Sequence, residues 1–100
     1  MGVRFIEPGV VEMDGGPGRG NAMNGLQGGL VVLLGEMAAE TLTGNSVIEL
    51  EVNYLSSIGG GTGRASARLL GGGIVRVEVR DPVRDNRLCA IMLATTEPPL

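Results

Sequence analysis

The sequence contains no histidine, no lysine and no tryptophan. Without histidine there is no imidazole to ligate a metal, to activate a serine or cysteine, or to shuttle protons near neutral pH. Without lysine there is no Schiff-base chemistry and no phosphate-loop lysine. Cys89 is the single cysteine, so an intrachain disulfide is excluded and a reducing compartment fits. Phe5 and Tyr54 are the only aromatic residues. A chain of this size with so few large rings buries a marginal core alone, which points to burial against a second copy. The longest strongly apolar run, Leu30 to Leu34, falls well short of the roughly 20 residues that cross a bilayer. The stretch from Met1 to Pro8 lacks an apolar run of signal-peptide length. The expectation is a soluble, cytoplasmic protein with no membrane partner. The net charge of −3 argues against a basic nucleic-acid surface.

What the chain does have is glycine, 18 in 100 residues, and an apolar fraction of 43%, ordinary for one globular domain over residues 1–100. Val3 to Met13 is rich in β-forming residues around Pro8-Gly9, which predicts two short strands and a turn. Asp14 to Gly20 is a loop, with five Gly or Pro residues. Gly28 to Leu42 is the predicted helix, stopped by Gly44-Asn45. Its apolar residues occupy nearly the whole circumference, broken mainly by Glu36 and Glu40, which predicts burial on all sides.

Ser46 to Leu55 alternates, with Ile48, Leu50, Val52 and Tyr54 on one face. Arg64 to Leu70 and Ile74 to Arg80 alternate in the same way, between glycine-rich turns. Arg87 to Thr95 is apolar on both faces, as expected of a central strand or one under an oligomer contact. The predicted order is strands, one buried helix, then four consecutive antiparallel strands. Such a helix requires a sheet that curls around it.

This order, with the residues around the helix start, resembles the hotdog fold, and in particular PaaI-like acyl-CoA thioesterases. The family signature runs Asn, a short spacer, Gly-x-x-His-Gly-Gly, then an acid partway along the helix. Here the matching stretch is Asn21-Ala22-Met23-Asn24-Gly25-Leu26-Gln27-Gly28-Gly29, followed by Glu36. The similarity runs from about Val3 to Thr96 and includes Val52-Asn53-Tyr54-Leu55 and Leu88-Cys89-Ala90. Four departures stand beside it. Gln27 occupies the usual His position, and the acid is Glu, as in one branch of the family. The assisting Ser or Thr has no counterpart, since Val47 or Glu40 stands there. The N-terminal helix of many members is also missing, as expected of a minimal or shortened form.

The resemblance implies an α+β hotdog domain, an antiparallel sheet wrapped around one central buried helix. It implies hydrolysis of an acyl- or aryl-CoA thioester at a dimer interface, in a homodimer or homotetramer, with no metal or cofactor. The catalytic positions it assigns are Asn21, Gly28 and Glu36; Gln27, Gly29 and Glu40 would contact substrate. Each assignment has a physical basis. Backbone N–H groups at a helix start lack internal partners and polarise a carbonyl oxygen, and glycine permits close approach. Burial raises a carboxyl pKa and suits Glu36 to the role of base or nucleophile, unless it is solvated or paired at the helix edge. Asn21 can hold water or simply form a turn, and Asn24 competes with it. Gln27 donates a hydrogen bond but cannot titrate. Glu40 lies one turn beyond Glu36 on the same face, or is an ordinary helix-end residue.

Arg64, Arg68, Arg76, Arg80, Arg84 and Arg87 either meet coenzyme A phosphates or pair with Glu49, Glu51 and Glu78 on a solvated face. Gly59 to Gly63 lacks the Lys-Ser/Thr end and the following helix of a phosphate loop. The alternative to an enzyme is a non-catalytic hotdog module that binds acyl-CoA or a related ligand. A hotdog hydratase needs an Asp-His pair that this sequence lacks.

Overall fold

The structure, a computed structural model, describes residues 2–14, 28–56 and 62–97. Its elements are β1 (Gly2–Glu7), β2 (Val10–Asp14), α1 (Gly28–Thr43), β3 (Val47–Tyr54), β4 (Thr62–Gly71), β5 (Ile74–Asp81) and β6 (Arg87–Thr96). The six strands form one antiparallel sheet in the order β1-β2-β4-β5-β6-β3. The helix packs on one face and touches every strand except β1. This is the hotdog arrangement that the sequence predicts.

Strand alternation sets the two faces. Val75, Val77 and Val79 of β5 point inward with no exposure, and Arg76, Glu78 and Arg80 point outward. Val11 and Met13 of β2, Ala65 of β4 and Ala90, Met92 and Ala94 of β6 complete the sheet's side of the core. Val31, Leu34, Ala38 and Ala39 of α1 fill the other side. Gly9, at φ +88° in the β1–β2 turn, joins the layers. Its N–H donates to Thr41 Oγ1 (3.0 Å), and its carbonyl accepts from Ala67 N (2.7 Å). A Cβ there would press on Ala67 O and Leu42 Cδ1 at 3.2 Å.

The structure differs from the sequence expectation in three ways. First, β3 does not pair with β4. The hairpin series is β4-β5-β6, and β3 lies at the free edge beyond β6. One side of β4 is taken by β2 and the other by β5, while β6 gains a neighbour on each side. Second, Ile48 is 58% exposed although Leu50 and Val52 face the core. A register shift between Val47 and Glu49 brings Val47 inward and displaces Ile48. Third, α1 is not buried on all sides within one chain. Leu33 is 44% exposed, and Val32, Glu36, Met37 and Glu40 are half-buried, because one sheet layer covers one side of a helix.

Among the described residues the outer face holds two ion-pair networks. Glu12, only 6% exposed, accepts from Arg4 and from Arg64 Nε (2.6 Å). Glu78 accepts from Arg76 and from Arg80 Nη2 (2.9 Å). Among the described residues Arg64 thus pairs with Glu12, and Arg76 and Arg80 with Glu78, while Glu49 and Glu51 have no arginine partner. Hydrogen bonds from Arg4 and Arg64 hold the Glu12 carboxyl below its ordinary value of 4.5 against the opposing effect of burial. Those from Arg80 and Arg76 do the same for Glu78. A carboxylate with a depressed folded-state pKa contributes stability that is complete above its unfolded value. That contribution is lost as pH falls through the folded value. The unfolding midpoint is therefore expected to drop as pH falls below about 4.5. Glu12→Gln is expected to lower stability at neutral pH and to flatten that acid limb. Denaturant unfolding across pH 3–7 measures both effects; an unchanged acid limb in the variant would show that the network adds nothing.

Candidate functional site

The candidate site is built on α1. The helix starts at Gly28, where the sequence places its first N–H donors. No acidic side chain stands in its first turn, so none there offsets the positive end of the helix dipole. Gly29 follows as the second helical residue. Asn21 and Gln27 lie outside the described residues.

Glu36 lies on the side of α1 that the sheet leaves uncovered, half-buried near Leu33 and Met37 in sequence. Among the described residues its carboxylate has no hydrogen bond or ion pair. Glu40, one turn later, is engaged: its Oε2 accepts from Val47 N at 2.9 Å and ties the end of α1 to the start of β3. The two glutamates that look alike in the sequence thus have different surroundings. Glu40 is structural at one oxygen at least, and Glu36 has no partner among the described residues.

Gly35 determines how close α1 comes to the sheet. A Cβ at this position would sit 2.2 Å from Met92 Sδ and 2.9 Å from Met92 Cε. The helix backbone therefore rests directly on the methionine of β6, and the neighbouring Glu36 is held at the height this contact sets. In the sequence, Gly35 only interrupts a helical run, and its closest neighbour lies 57 residues away.

Along α1, Gly28 and Glu36 are eight residues apart, about 12 Å at 1.5 Å per residue. One reacting carbonyl cannot touch both groups of the same chain. The uncovered side of α1 and the free edge β3 also expose Leu33, Ile48 and Tyr54, with Leu55 just beyond. A cavity of about 160 Å³ lies elsewhere, lined by Ser66, Ala67, Arg68, Arg76 and Glu78 and chiefly on the outer face of the sheet. Among the described residues no three His, Cys, Asp or Glu side chains converge as a metal site would require, and no helix is long and apolar enough to cross a membrane.

The sequence reading did not single out Glu12. The signal was there, since Val11 and Met13 face inward and so place Glu12 on the outer face beside Arg4 and Arg64.

No family model and no curated protein matches the sequence. Solved structures do match the fold. E. coli PaaI, from the phenylacetic acid degradation operon, is 15% identical, with 99% of this chain and 79% of that one covered and a TM-score of 0.72. Streptococcus mutans smu.793, bound to acetyl CoA, is 17% identical over 94% of this chain and 84% of that one, with a TM-score of 0.67. The Haemophilus influenzae thioesterase HI1161 is 24% identical over 87% and 68%, with a TM-score of 0.58. At these identities the likeness is one of fold, and the fold is that of PaaI and other thioesterase-superfamily proteins.

The Gly35 contact generates a prediction. Alanine gains about 1 kcal/mol in helix propensity over glycine, but overpacking a filled core costs about 1–3 kcal/mol. Gly35→Ala is expected to destabilise the chain, and Met92→Val in the same background to recover part of the loss. A double-mutant cycle by denaturant unfolding is expected to show coupling of about 1 kcal/mol or more. Additive effects would mean that the two residues do not press on each other.

Proposed function

We propose that this chain, which shares its fold with PaaI, hydrolyses an acyl- or aryl-CoA thioester in a cleft formed by two of its copies. The observation that carries this reading is Glu36, a half-buried carboxylate without a partner among the described residues. The helix start at Gly28 supports it, as does the acetyl CoA bound by smu.793. The separation of about 12 Å along one helix means that Glu36 of one copy serves a carbonyl held at Gly28 of the other. A homodimer, or a homotetramer built from such dimers, supplies that arrangement.

The chemistry then follows. The Gly28 N–H donates to the thioester carbonyl oxygen, and Gly29, without a side chain, lets the substrate approach. Glu36 takes a proton from a water that Asn21 positions, and the resulting hydroxide attacks the carbonyl carbon. The tetrahedral oxyanion is stabilised at Gly28. Its collapse breaks the C–S bond and releases the carboxylic acid and the coenzyme A thiolate, which takes up the proton. Direct attack by Glu36 gives the same products through an anhydride that water then opens. Gln27 contributes a hydrogen bond to the substrate and no proton. Glu40 adjoins the site through its position one turn beyond Glu36.

Gln27, where the resemblance calls for His, favours a second reading as a module that binds acyl-CoA without cleaving it. Thiol release from short, long and aromatic acyl-CoAs separates the two. On the first reading Glu36→Ala lowers turnover about 10²–10⁴-fold, with an unchanged melting profile. Unchanged turnover removes Glu36 from the mechanism. Calorimetric binding with no thiol release from any member of the panel establishes the module.

A further inference from the structure

The outer face of the sheet carries charge opposite in sign to that of the whole chain, which is −3. Register places Arg4, Arg64, Arg68, Arg76 and Arg80 on this face across β1, β4 and β5, against Glu12 and Glu78. Glu12 takes Arg4 and Arg64, and Glu78 takes Arg76 and Arg80. Arg68 is left over. It is exposed and has no ion pair and no acceptor among the described residues. Its Cα partner across the sheet is Arg76. Residues directly opposite each other in a sheet have Cβ atoms about 4.5–5.5 Å apart, and like charges so placed repel. Glu78, two residues along β5, is bound by Arg76 through Nη1. That leaves Nε and Nη2 of Arg76 without an acceptor among the described residues.

Both arginines line the cavity of about 160 Å³, together with Ser66, Ala67 and Glu78. Ser66 is exposed, lies two residues before Arg68 on the same face of β4 and brings a hydroxyl. Both oxygens of Glu78 already accept from arginine, one from Arg76 and one from Arg80, so its charge is answered within the sheet. The groups left open at the cavity are therefore chiefly donors. We propose that Arg68, Arg76 and Ser66 form a binding site for an oxyanion of the phosphate class, either the free ion or the phosphate group of a small ester. A tetrahedral oxyanion presents acceptors on several sides, so it bridges two guanidinium forks and a hydroxyl at once. Its negative charge also removes the repulsion between the opposed arginines. The cavity has room for such an ion and a few waters, since a water takes up about 30 Å³ in the liquid. The site lies across the sheet from α1 and Glu36. It is thus separate from the cleft proposed for catalysis and does not rest on that reading.

Calorimetric titration of the full chain with inorganic phosphate and with glycerol phosphate tests the site. Saturable binding of one phosphate per chain is expected, tighter at low ionic strength because screening is weaker. The tighter of the two ligands tells the free ion from the ester. Arg68→Ala is expected to weaken binding at least about tenfold, and Arg68→Lys, which keeps the charge but loses the fork, to fall between. Arg84→Ala, in the exposed β5–β6 turn, is expected to bind as the wild type does. Without phosphate, Arg68→Ala is expected to melt no lower than the wild type, since it loses no ion pair and relieves a repulsion. With phosphate, the wild type is expected to melt higher and Arg68→Ala to stay unchanged. Absence of saturable binding overturns the proposal, and so does equal weakening by Arg68→Ala and Arg84→Ala. Binding of a hexaglutamate peptide without binding of either phosphate overturns it in favour of an acidic partner chain.

Discussion

The contact between Gly35 and Met92 governs how the two layers of this protein meet. Because no side chain intervenes, the helix backbone lies against β6, and the apolar side chains on either flank close around that point. The small residues Ala38 and Ala39 on the helix, and Ala65, Ala90 and Ala94 on the sheet, continue the same close fit. This explains how a chain with two aromatic residues builds a core at all. The space between the layers is made narrow enough for alanine, valine and methionine to fill.

A thin core leaves other surfaces unsatisfied. The sheet covers one side of α1 and leaves Leu33 and Met37 partly in water, with Glu36 between them in sequence. The far side of the sheet keeps its arginines in order through Glu12 and Glu78. These two surfaces differ in kind. The helix side is apolar around Glu36, a carboxylate without a partner among the described residues. The sheet side carries charge held in ion pairs through Glu12 and Glu78.

Much of this was legible in the sequence, because period-2 alternation reports which face a residue takes. It gave the inward valines of β5 and the bounds of α1 to within one residue. Alternation does not report which strand lies next to which, so the place of β3 beside β6 was not readable from Ser46 to Leu55. Nor does it register an irregularity, and the shift after Val47 turned Ile48 out of the core against the pattern. At the candidate site, the places of Gly28 and Glu36 on α1 follow from the predicted helix, while their roles come from the family resemblance. The difference between Glu36 and Glu40 depends on Val47 N–H, which sequence spacing alone does not bring to the helix.

The place of β2 has a consequence for how the chain reaches this state. Val10 of β2 pairs with Ser66 of β4, and Gly9 O with Ala67 N, across more than half the chain. The helix and β3 must both be strung between these partners before the contact forms. Closing so long a loop costs entropy before any pairing offsets it. The β4-β5-β6 hairpins, by contrast, join neighbours in sequence. Folding of this chain is thus expected to begin in its C-terminal hairpins and to finish slowly, on the millisecond-to-second scale of non-local β topologies, when the N-terminal hairpin docks and closes the sheet around the helix.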